Sequence, residues 1–153
     1  MRIGIRPAVI AIAAVFLSLS AHAQAPALRA ERELFASVNQ ARRAQGLAPL
    51  KWDDALAVAA RRHAEVMARR RAAQHEFEGE PGLSSRVKQA GAHFSWLSEN
   101  VTQGPTPEFI HSQFMKSPPH RANVLDTDMD SIGVGVVEHG GKMFAVEDFS
   151  KAR

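Results

Sequence analysis

Near its C-terminal end, the chain contains the feature that most restricts its fold: two strand-forming segments joined by a pair of glycines. The segments SIGVGVVE and KMFAVEDF flank the tripeptide His139-Gly140-Gly141. Both are rich in β-branched or aromatic residues, and consecutive glycines permit the positive backbone angles of a tight hairpin turn. The pattern predicts an antiparallel hairpin, so the fold must provide a sheet that includes it.

Three of the helices predicted before this hairpin are amphipathic or clearly capped. They cover residues 29–45, 54–71 and 107–115. Gly46 follows the first as a stop signal, Asp53 is placed to cap the second, and Thr106-Pro107-Glu108 combines a cap, a first-turn proline and a first-turn acid for the third. Helices first and a hairpin last indicate an α+β architecture.

Several apolar residues are predicted to face the core. They are Leu50 and Trp52 in the connector LAPLKWDD, Trp96 beside a turn, and Phe109, Ile110 and Phe114 on the third helix. Residues 74–105 carry many glycines, serines and prolines and are predicted to be irregular, apart from a short helix at SSRVKQAG that ends at Gly91. Connections of this length are usually functional.

The first 23 residues are typical of an export signal. Arg2 and Arg6 form a charged start, an apolar stretch follows, and Ala21-His22-Ala23 is a small-x-small cleavage site. Cleavage would leave residues 24–153, a length typical of a single domain, in the periplasm or outside the cell. The alternative is an uncleaved N-terminal anchor.

Composition excludes several classes of function. The chain has no cysteine, which excludes disulfides, thiol nucleophiles and thiolate metal sites. The formal net charge of +3 includes the two arginines of the signal, so basicity gives no argument for nucleic-acid binding. Five arginines in RRHAEVMARRR lie on the second helix without interleaved aromatic residues, which indicates a solvated face.

His120 and Glu99 are the first candidates for chemistry. Ser117 and Pro118 predict a helix start that puts His120 in the first turn, where the helix dipole favours a neutral imidazole able to bind metal or accept a proton. The alternative is an ordinary surface histidine. Glu99 is flanked by Trp96, Leu97 and Val101, so we expect it to be at least half buried and to need a partner. Histidines, a metal or loop amides could each satisfy it.

Several motifs that would identify a specific activity are absent from the sequence. HEFEG lacks a second histidine four residues on, so it is not the helical zinc-protease signature, and no serine stands in a GxSxG elbow. IGVGV lies inside a predicted strand and lacks the third glycine of a nucleotide loop. Its glycines indicate instead that another element packs closely against the strand.

Taken together, seven segments resemble the CAP superfamily, which comprises the cysteine-rich secretory, antigen 5 and pathogenesis-related 1 proteins, and especially its cysteine-free bacterial branch. In chain order these are VNQARRAQGLAPLKWDDALAVAARRHAEVMA, QHEFEG, SSRVKQAG, SENVTQG, SPPHRANVL, IGVGVV and FAVEDF. The resemblance covers nearly all of residues 24–153, and it implies an α-β-α sandwich.

The resemblance also implies a site. In the family, two histidines and the glutamate of the EN motif converge on a central cleft, often with a second glutamate; here they map to His75, Glu99 and His120. Such a set suits zinc, which in catalytic sites takes three protein ligands and a water. Lys116 and Ser117 stand where many relatives have the second glutamate, and Glu108 lies too far upstream to replace it. We therefore expect modest affinity for metal.

Two classes of function remain. The first is a secreted binding or effector module, monomeric and without nucleic-acid or integral-membrane character, whose cleft takes a lipid, glycan or protein ligand. The second is a metal-dependent peptidase or esterase that uses metal-activated water, with Glu99 as base and the histidines as ligands. Sequence favours the first, because the chain has no independent nucleophile and the family's set of four residues is incomplete.

Overall fold

The computed structural model describes residues 10–152, and the side chains of residues 27–152. Residues 1–9 of the predicted export signal, and the side chains of all its residues, lie outside the described part of the chain. Removal of residues 1–23 therefore stays a prediction. Within the described residues, no helix combines the length and apolar character that a membrane span requires.

A four-stranded sheet forms the centre of the fold. The strands are β1 (Lys51–Trp52), β2 (Phe94–Gly104), β3 (Ser131–His139) and β4 (Lys142–Ala152), in the order β1-β3-β4-β2. β3 and β4 are antiparallel and joined through Gly140 and Gly141, whose φ angles are +60° and +73°. The predicted hairpin is confirmed, and β2 pairs with β4 as a strand at the edge of the sheet.

Five helices cover the two faces of this sheet. They are α1 (Ile10–Ala44), α2 (Asp54–Arg70), α3 (Leu83–Gln89), α4 (Pro107–Lys116) and α5 (Pro118–Val124). α2 and α3 pack on one face, and α1, α4 and α5 pack on the other. The α+β class and the α-β-α sandwich are therefore confirmed.

Local signals set several helix ends. The Asp53 carboxylate accepts hydrogen bonds from the amides of Ala55 and Leu56, and the Thr106 hydroxyl accepts one from the amide of Phe109. Unsatisfied first-turn amides make such caps stabilising. The first helix ends before Gly46 as predicted, but it begins at Ile10 rather than Arg29.

Two glycines bring α2 directly onto the sheet. A Cβ atom at Gly133 would lie 2.1 Å from the amide nitrogen of Ala57, and one at Gly135 would lie 2.2 Å from that of Arg61. Only hydrogen fits between these backbones. The prediction that these glycines admit a close neighbour is confirmed, and small residues on α2 complete the contact.

The arginine-rich face of α2 is solvated with one exception. Arg62, Arg69 and Arg70 are exposed, whereas Arg61 pairs with the buried carboxylate of Glu31 through hydrogen bonds of 2.8 and 2.6 Å. Glu31 also accepts from the amide of Val136 on β3 at 3.2 Å. This ion pair therefore ties α1 and α2 to the sheet.

Three sequence predictions are wrong in this region. Residues 94–104 form β2 instead of an irregular segment, because their backbone pairs with β4 although their side chains are mostly polar. Trp96 is 62% exposed, since the pairing of β2 is irregular between Phe94 and Trp96 and the indole faces outward. Phe109 is 43% exposed because its ring lies against Gly104 rather than in the core.

The other expected core residues behave as predicted. Leu50, Ile110 and Phe114 are buried. Trp52 is half-buried, packs edge-on against Phe35 with ring centroids 5.4 Å apart, and donates from its indole N–H to the Asp54 carboxylate at 2.8 Å. It anchors the connector between α1 and α2.

Gly133→Ala should lower the free energy of unfolding by about 2–3 kcal/mol, because the added methyl group overlaps the backbone of α2 and the helix must shift. Chemical denaturation of the wild type and the variant measures this difference. Glu138→Ala, an exposed change on the same strand, is the control and should stay within about 0.5 kcal/mol of the wild type. Equal stability of the glycine variant and the control would contradict the close approach.

Candidate functional site

The three residues singled out by sequence meet at the free edge of β2. His75 comes from the loop between α2 and α3, Glu99 from β2, and His120 from the first turn of α5. His75 Nδ1 lies 2.8 Å from Glu99 Oε1, and the two imidazole centroids are 6.5 Å apart. We refer to these three residues as the histidine–glutamate cluster.

Arg86, which the sequence analysis did not select, holds this cluster together. Its guanidinium is buried and donates from Nη1 to the backbone oxygens of His75 and Pro81, each at 3.1 Å. Nη2 donates to Glu99 Oε2. The same side chain thus fixes the loop that carries His75 and neutralises the carboxylate of Glu99.

His63 stabilises the loop between α2 and α3 that carries His75. It is fully buried on α2, with Nδ1 2.7 Å from Glu80 Oε1 and Nε2 2.9 Å from the backbone oxygen of Gln74. Its Nε2 also lies 4.0 Å from Glu99 Oε2. The sequence analysis did not select it either. An ionisable residue on the alanine-rich buried face of a helix was the available signal, because such a residue needs polar partners.

A second buried acid adjoins Glu99 on the same face of the sheet. Asp148 is the cross-strand partner of Glu99, and both its carboxylate oxygens are buried without a hydrogen-bond partner among the described residues. Burial, followed by the charge of Glu99, raises the pKa of Asp148 well above its ordinary value, and Arg86 opposes the rise. We therefore expect Asp148 to be neutral, so that one carboxylate, Glu99, faces the guanidinium.

A side chain on the opposite face of β2 positions His120. Asn100 Nδ2 donates to the backbone oxygen of His120 at 3.1 Å and to Glu147 Oε2 at 3.2 Å, while Asn123 donates to Asn100 Oδ1 at 2.9 Å. The His120 ring packs edge-on against Phe114 at 5.3 Å. The first turn of α5 is thereby fixed to β2, and the sequence signal for this network was the asparagine of the EN motif.

The two imidazoles have opposite electrostatic environments. The hydrogen bond from His75 to Glu99 raises the pKa of His75, although burial and Arg86 act against it. Burial, and then the neighbouring His75, lower the pKa of His120. The direction expected for His120 agrees with this, and desolvation and the neighbouring His75 both contribute to it.

In the part of the chain that the structure describes, three metal ligands do not come together at one point. Within the described part of the chain, no group of three or more histidine, aspartate and glutamate residues is arranged to hold a metal ion. The Glu99 oxygens face Arg86 and His75, and a guanidinium in contact with a ligand carboxylate opposes a dication. Glu108 is exposed in the first turn of α4. Two imidazoles remain as possible donors.

Comparisons with known proteins extend these observations. Residues 35–149 match the family model described as the cysteine-rich secretory protein family, CAP. The Bacillus subtilis protein YkwD is 32% identical over 111 residues, which cover 72% of this chain but only 43% of YkwD, so the chain spans less than half of that relative.

Solved structures show the same fold. An extracellular protein of Bacillus anthracis that contains an SCP domain aligns with a TM-score of 0.76 and 22% identity, over 82% of this chain and 41% of its own. An outer surface protein of Borrelia burgdorferi aligns with a TM-score of 0.75 and 21% identity, over 82% of this chain and 94% of its own. At these identities the similarity concerns the fold alone.

Glu147 should make stability depend on pH. Burial raises its pKa to about 8 from an ordinary 4.5, so between these values the folded state keeps a proton that the unfolded state loses. The free energy of unfolding should therefore fall as pH rises from 4.5 to 8, by at most about 1.4 kcal/mol per pH unit for this group. Glu147→Gln should flatten that slope, as measured by urea unfolding across the range.

The exposed Glu138→Gln on the neighbouring strand is the matched control and should retain the wild-type slope. Any slope left in Glu147→Gln belongs to other groups such as Asp148. An unchanged slope in a folded Glu147→Gln protein would show that the buried carboxyl does not titrate as described.

Proposed function

Because the chain belongs to the cysteine-rich secretory protein (CAP) family, we propose that it is an exported binding module whose ligand contacts the histidine–glutamate cluster. Export is supported by the signal pattern of residues 1–23 and by the extracellular and outer-surface proteins that share the fold. We propose that processing after Ala23 releases residues 24–153 to the periplasm or the medium.

The contrast in exposure within the cluster is the observation that carries this proposal. The Glu99 side chain is 3% exposed, whereas the His75 side chain is 60% exposed. A general base must reach the proton that it removes, and Glu99 instead accepts hydrogen bonds from Arg86 and His75. The accessible groups are the imidazoles, which can bind a ligand without any reaction.

The bonding of His75 defines what such a ligand would present. Because Nδ1 donates to Glu99, Nε2 is the nitrogen left for the ligand, and the raised pKa of His75 favours its protonated, donating form. The lowered pKa of His120 favours a neutral ring beside it. We therefore propose a ligand group with an acceptor oxygen, which a lipid, a glycan and a protein can each supply.

Zinc held by the two imidazoles is the second candidate. One observation favours it: metal-binding histidines commonly donate their other ring N–H to a carboxylate, as His75 does to Glu99. Glu99 would then orient His75 rather than bind the metal. The resulting two-imidazole set supports modest affinity, and we assign no hydrolytic step to it.

The binding proposal predicts a ligand that is retained through the histidines. The protein, exported from its host and purified gently, should carry additional non-covalent mass in native mass spectrometry, and the double variant His75→Ala/His120→Ala should lose it. His93→Ala, which changes an exposed histidine outside the cluster, should retain it. Turnover of generic ester or peptide substrates that is lost in Glu99→Gln would instead support the hydrolase.

The zinc candidate predicts weak, pH-dependent binding. In calorimetric titration, zinc should bind at neutral pH and bind less as the pH falls, because a protonated imidazole cannot coordinate metal. His75→Ala and His120→Ala should each abolish binding, while His93→Ala should not. If folded His75→Ala and His120→Ala proteins bind zinc as well as the wild type, the two histidines do not share a metal.

A further inference from the structure

A cavity of about 360 Å³ lies between α1 and α2, at the edge of the sheet that β1 forms. In the described part of the chain, β1 is two residues long and pairs only with the start of β3, so the rest of that edge has no strand beside it. The cavity, which we call the edge pocket, is lined by Leu28, Glu31, Arg32 and Phe35 of α1, Trp52 of β1, and Asp54 and Arg61 of α2.

The lining residues of each helix lie on one face of that helix. On α1 the four lining residues have the spacing i, i+3, i+4 and i+7, and on α2 the two lining residues are seven positions apart. At 3.6 residues per turn, such spacings place side chains on the same face. The two helices therefore turn these faces toward each other across the edge of the sheet.

Direct contacts join the two helices on both sides of the edge pocket. The Phe35 and Trp52 rings pack edge-on with centroids 5.4 Å apart, and the Trp52 indole N–H donates to Asp54 Oδ1 at 2.8 Å. One turn away on α1, Glu31 accepts from Arg61 at 2.8 and 2.6 Å. These two connections and the helix segments between them form a continuous frame, so the lining groups face one space.

The polar groups available to a ligand in the edge pocket carry both signs of charge. Glu31 is 2% exposed and neutralises Arg61. Arg32 is exposed, and among residues 27–152 it forms no ion pair. Asp54 is also exposed and accepts from Trp52 at Oδ1, which leaves Oδ2 for a ligand. The pocket therefore offers one cation from α1 and one anion from α2.

The apolar part of the edge pocket is preformed. Leu28 is 37% exposed, and the rings of Phe35 and Trp52 are half-buried. The contact with Phe35 and the hydrogen bond to Asp54 hold the indole of Trp52 in place. Apolar side chains beside a few polar groups are typical of small-molecule sites, and a fixed surface reduces the entropy lost on binding.

From this arrangement we propose that the edge pocket binds a small zwitterion with an apolar side chain, such as a free α-amino acid of the size of phenylalanine. Its carboxylate contacts Arg32, its ammonium group contacts Asp54, and its side chain lies on Leu28, Phe35 and Trp52. Two arginines and two carboxylates line the pocket, so their formal charges sum to zero. Such a lining matches a zwitterion better than a simple anion or a simple cation.

The edge pocket is separate from the histidine–glutamate cluster. The cluster lies at β2 and the pocket at β1, and β3 and β4 lie between these two outer strands. Three strand spacings, about 14 Å, therefore separate β1 from β2. All the lining residues follow residue 23, so the proposed processing would retain the pocket. The proposal goes beyond the function proposed for the cluster.

L-Phenylalanine is the probe that tests the edge pocket. The chain contains two tryptophans, Trp52 and Trp96, whose indole N–H resonances can be followed in NMR spectra of the purified, ¹⁵N-labelled protein. Phenylalanine should shift the Trp52 resonance and leave that of Trp96 unchanged, because Trp96 lies on β2. Trp96→Phe assigns the two resonances. The second tryptophan thus serves as an internal control.

Three related probes each lack one part of phenylalanine. The compound 3-phenylpropanoate lacks the ammonium group, phenethylamine lacks the carboxylate, and alanine lacks the ring. Each should bind at least about fivefold more weakly than phenylalanine, because one of the three contacts is lost. The dependence of the Trp52 shift on probe concentration measures these affinities.

Variants assign each charged group of the ligand to its partner. Arg32→Gln should weaken phenylalanine binding by about fivefold and remove its advantage over phenethylamine. Asp54→Asn, which keeps the oxygen that accepts from Trp52, should remove the advantage over 3-phenylpropanoate. Arg43→Gln changes an exposed arginine of α1 outside the pocket and is the matched control, with binding equal to the wild type.

Three results would overturn the proposal. The first is a Trp52 resonance that does not move, or moves no more than that of Trp96, when phenylalanine is added. The second is equal phenylalanine binding by Arg32→Gln and Arg43→Gln. The third is equal affinity of the wild type for phenylalanine and phenethylamine, which would leave Arg32 without a role. None of these results depends on ligand binding at the histidine–glutamate cluster.

Discussion

Arg86 places a guanidinium inside the protein, between the loop that carries His75 and the strand that carries Glu99. It donates to two backbone oxygens of that loop and to the Glu99 carboxylate. A buried charge is tolerated only with such partners, so the guanidinium and its acceptors must come together as a unit. The chain contains no cysteine, and no disulfide can hold this loop. Hydrogen bonds to Arg86 and His63 fix it instead.

Because β2 is an edge strand, its side chains contact the helices on both faces of the sheet. Glu99 and Asn100 are consecutive, so their side chains point to opposite faces. Glu99 joins the Arg86 network beside α2 and α3, and Asn100 joins Glu147 and the backbone of His120 beside α5. Two residues of one strand therefore orient both histidines. The close packing of α2 on Gly133 sets the distance between the sheet and the helix beside the Arg86 network.

This construction separates the acidic groups of the site from the groups that face solvent. The carboxyl groups of Glu99, Glu147 and Asp148 are buried, and the imidazole of His75 is exposed. The burial of Glu99 beside the exposed imidazole of His75 is the basis on which we propose recognition rather than hydrolysis.

Local sequence patterns were sufficient for the features that depend on a few neighbouring residues. They include the hairpin at Gly140-Gly141, the caps at Asp53 and Thr106, and the close contact at Gly133, because backbone sterics and unsatisfied amides act over one turn. Local context also selected His120 and Glu99 as candidates, and the resemblance to a family grouped them with His75 in one site.

Only the tertiary structure decided that residues 94–104 form a strand, that Trp96 faces outward and that Arg86 lies at the centre of the site. The β2 strand exists because it pairs with residues about 50 positions later in the chain, and its polar side chains give little sign of this pairing. Arg86 is buried because its acceptors arrive from two separate segments, the loop before α3 and β2. The local sequence around an arginine cannot reveal acceptors that the fold brings from elsewhere.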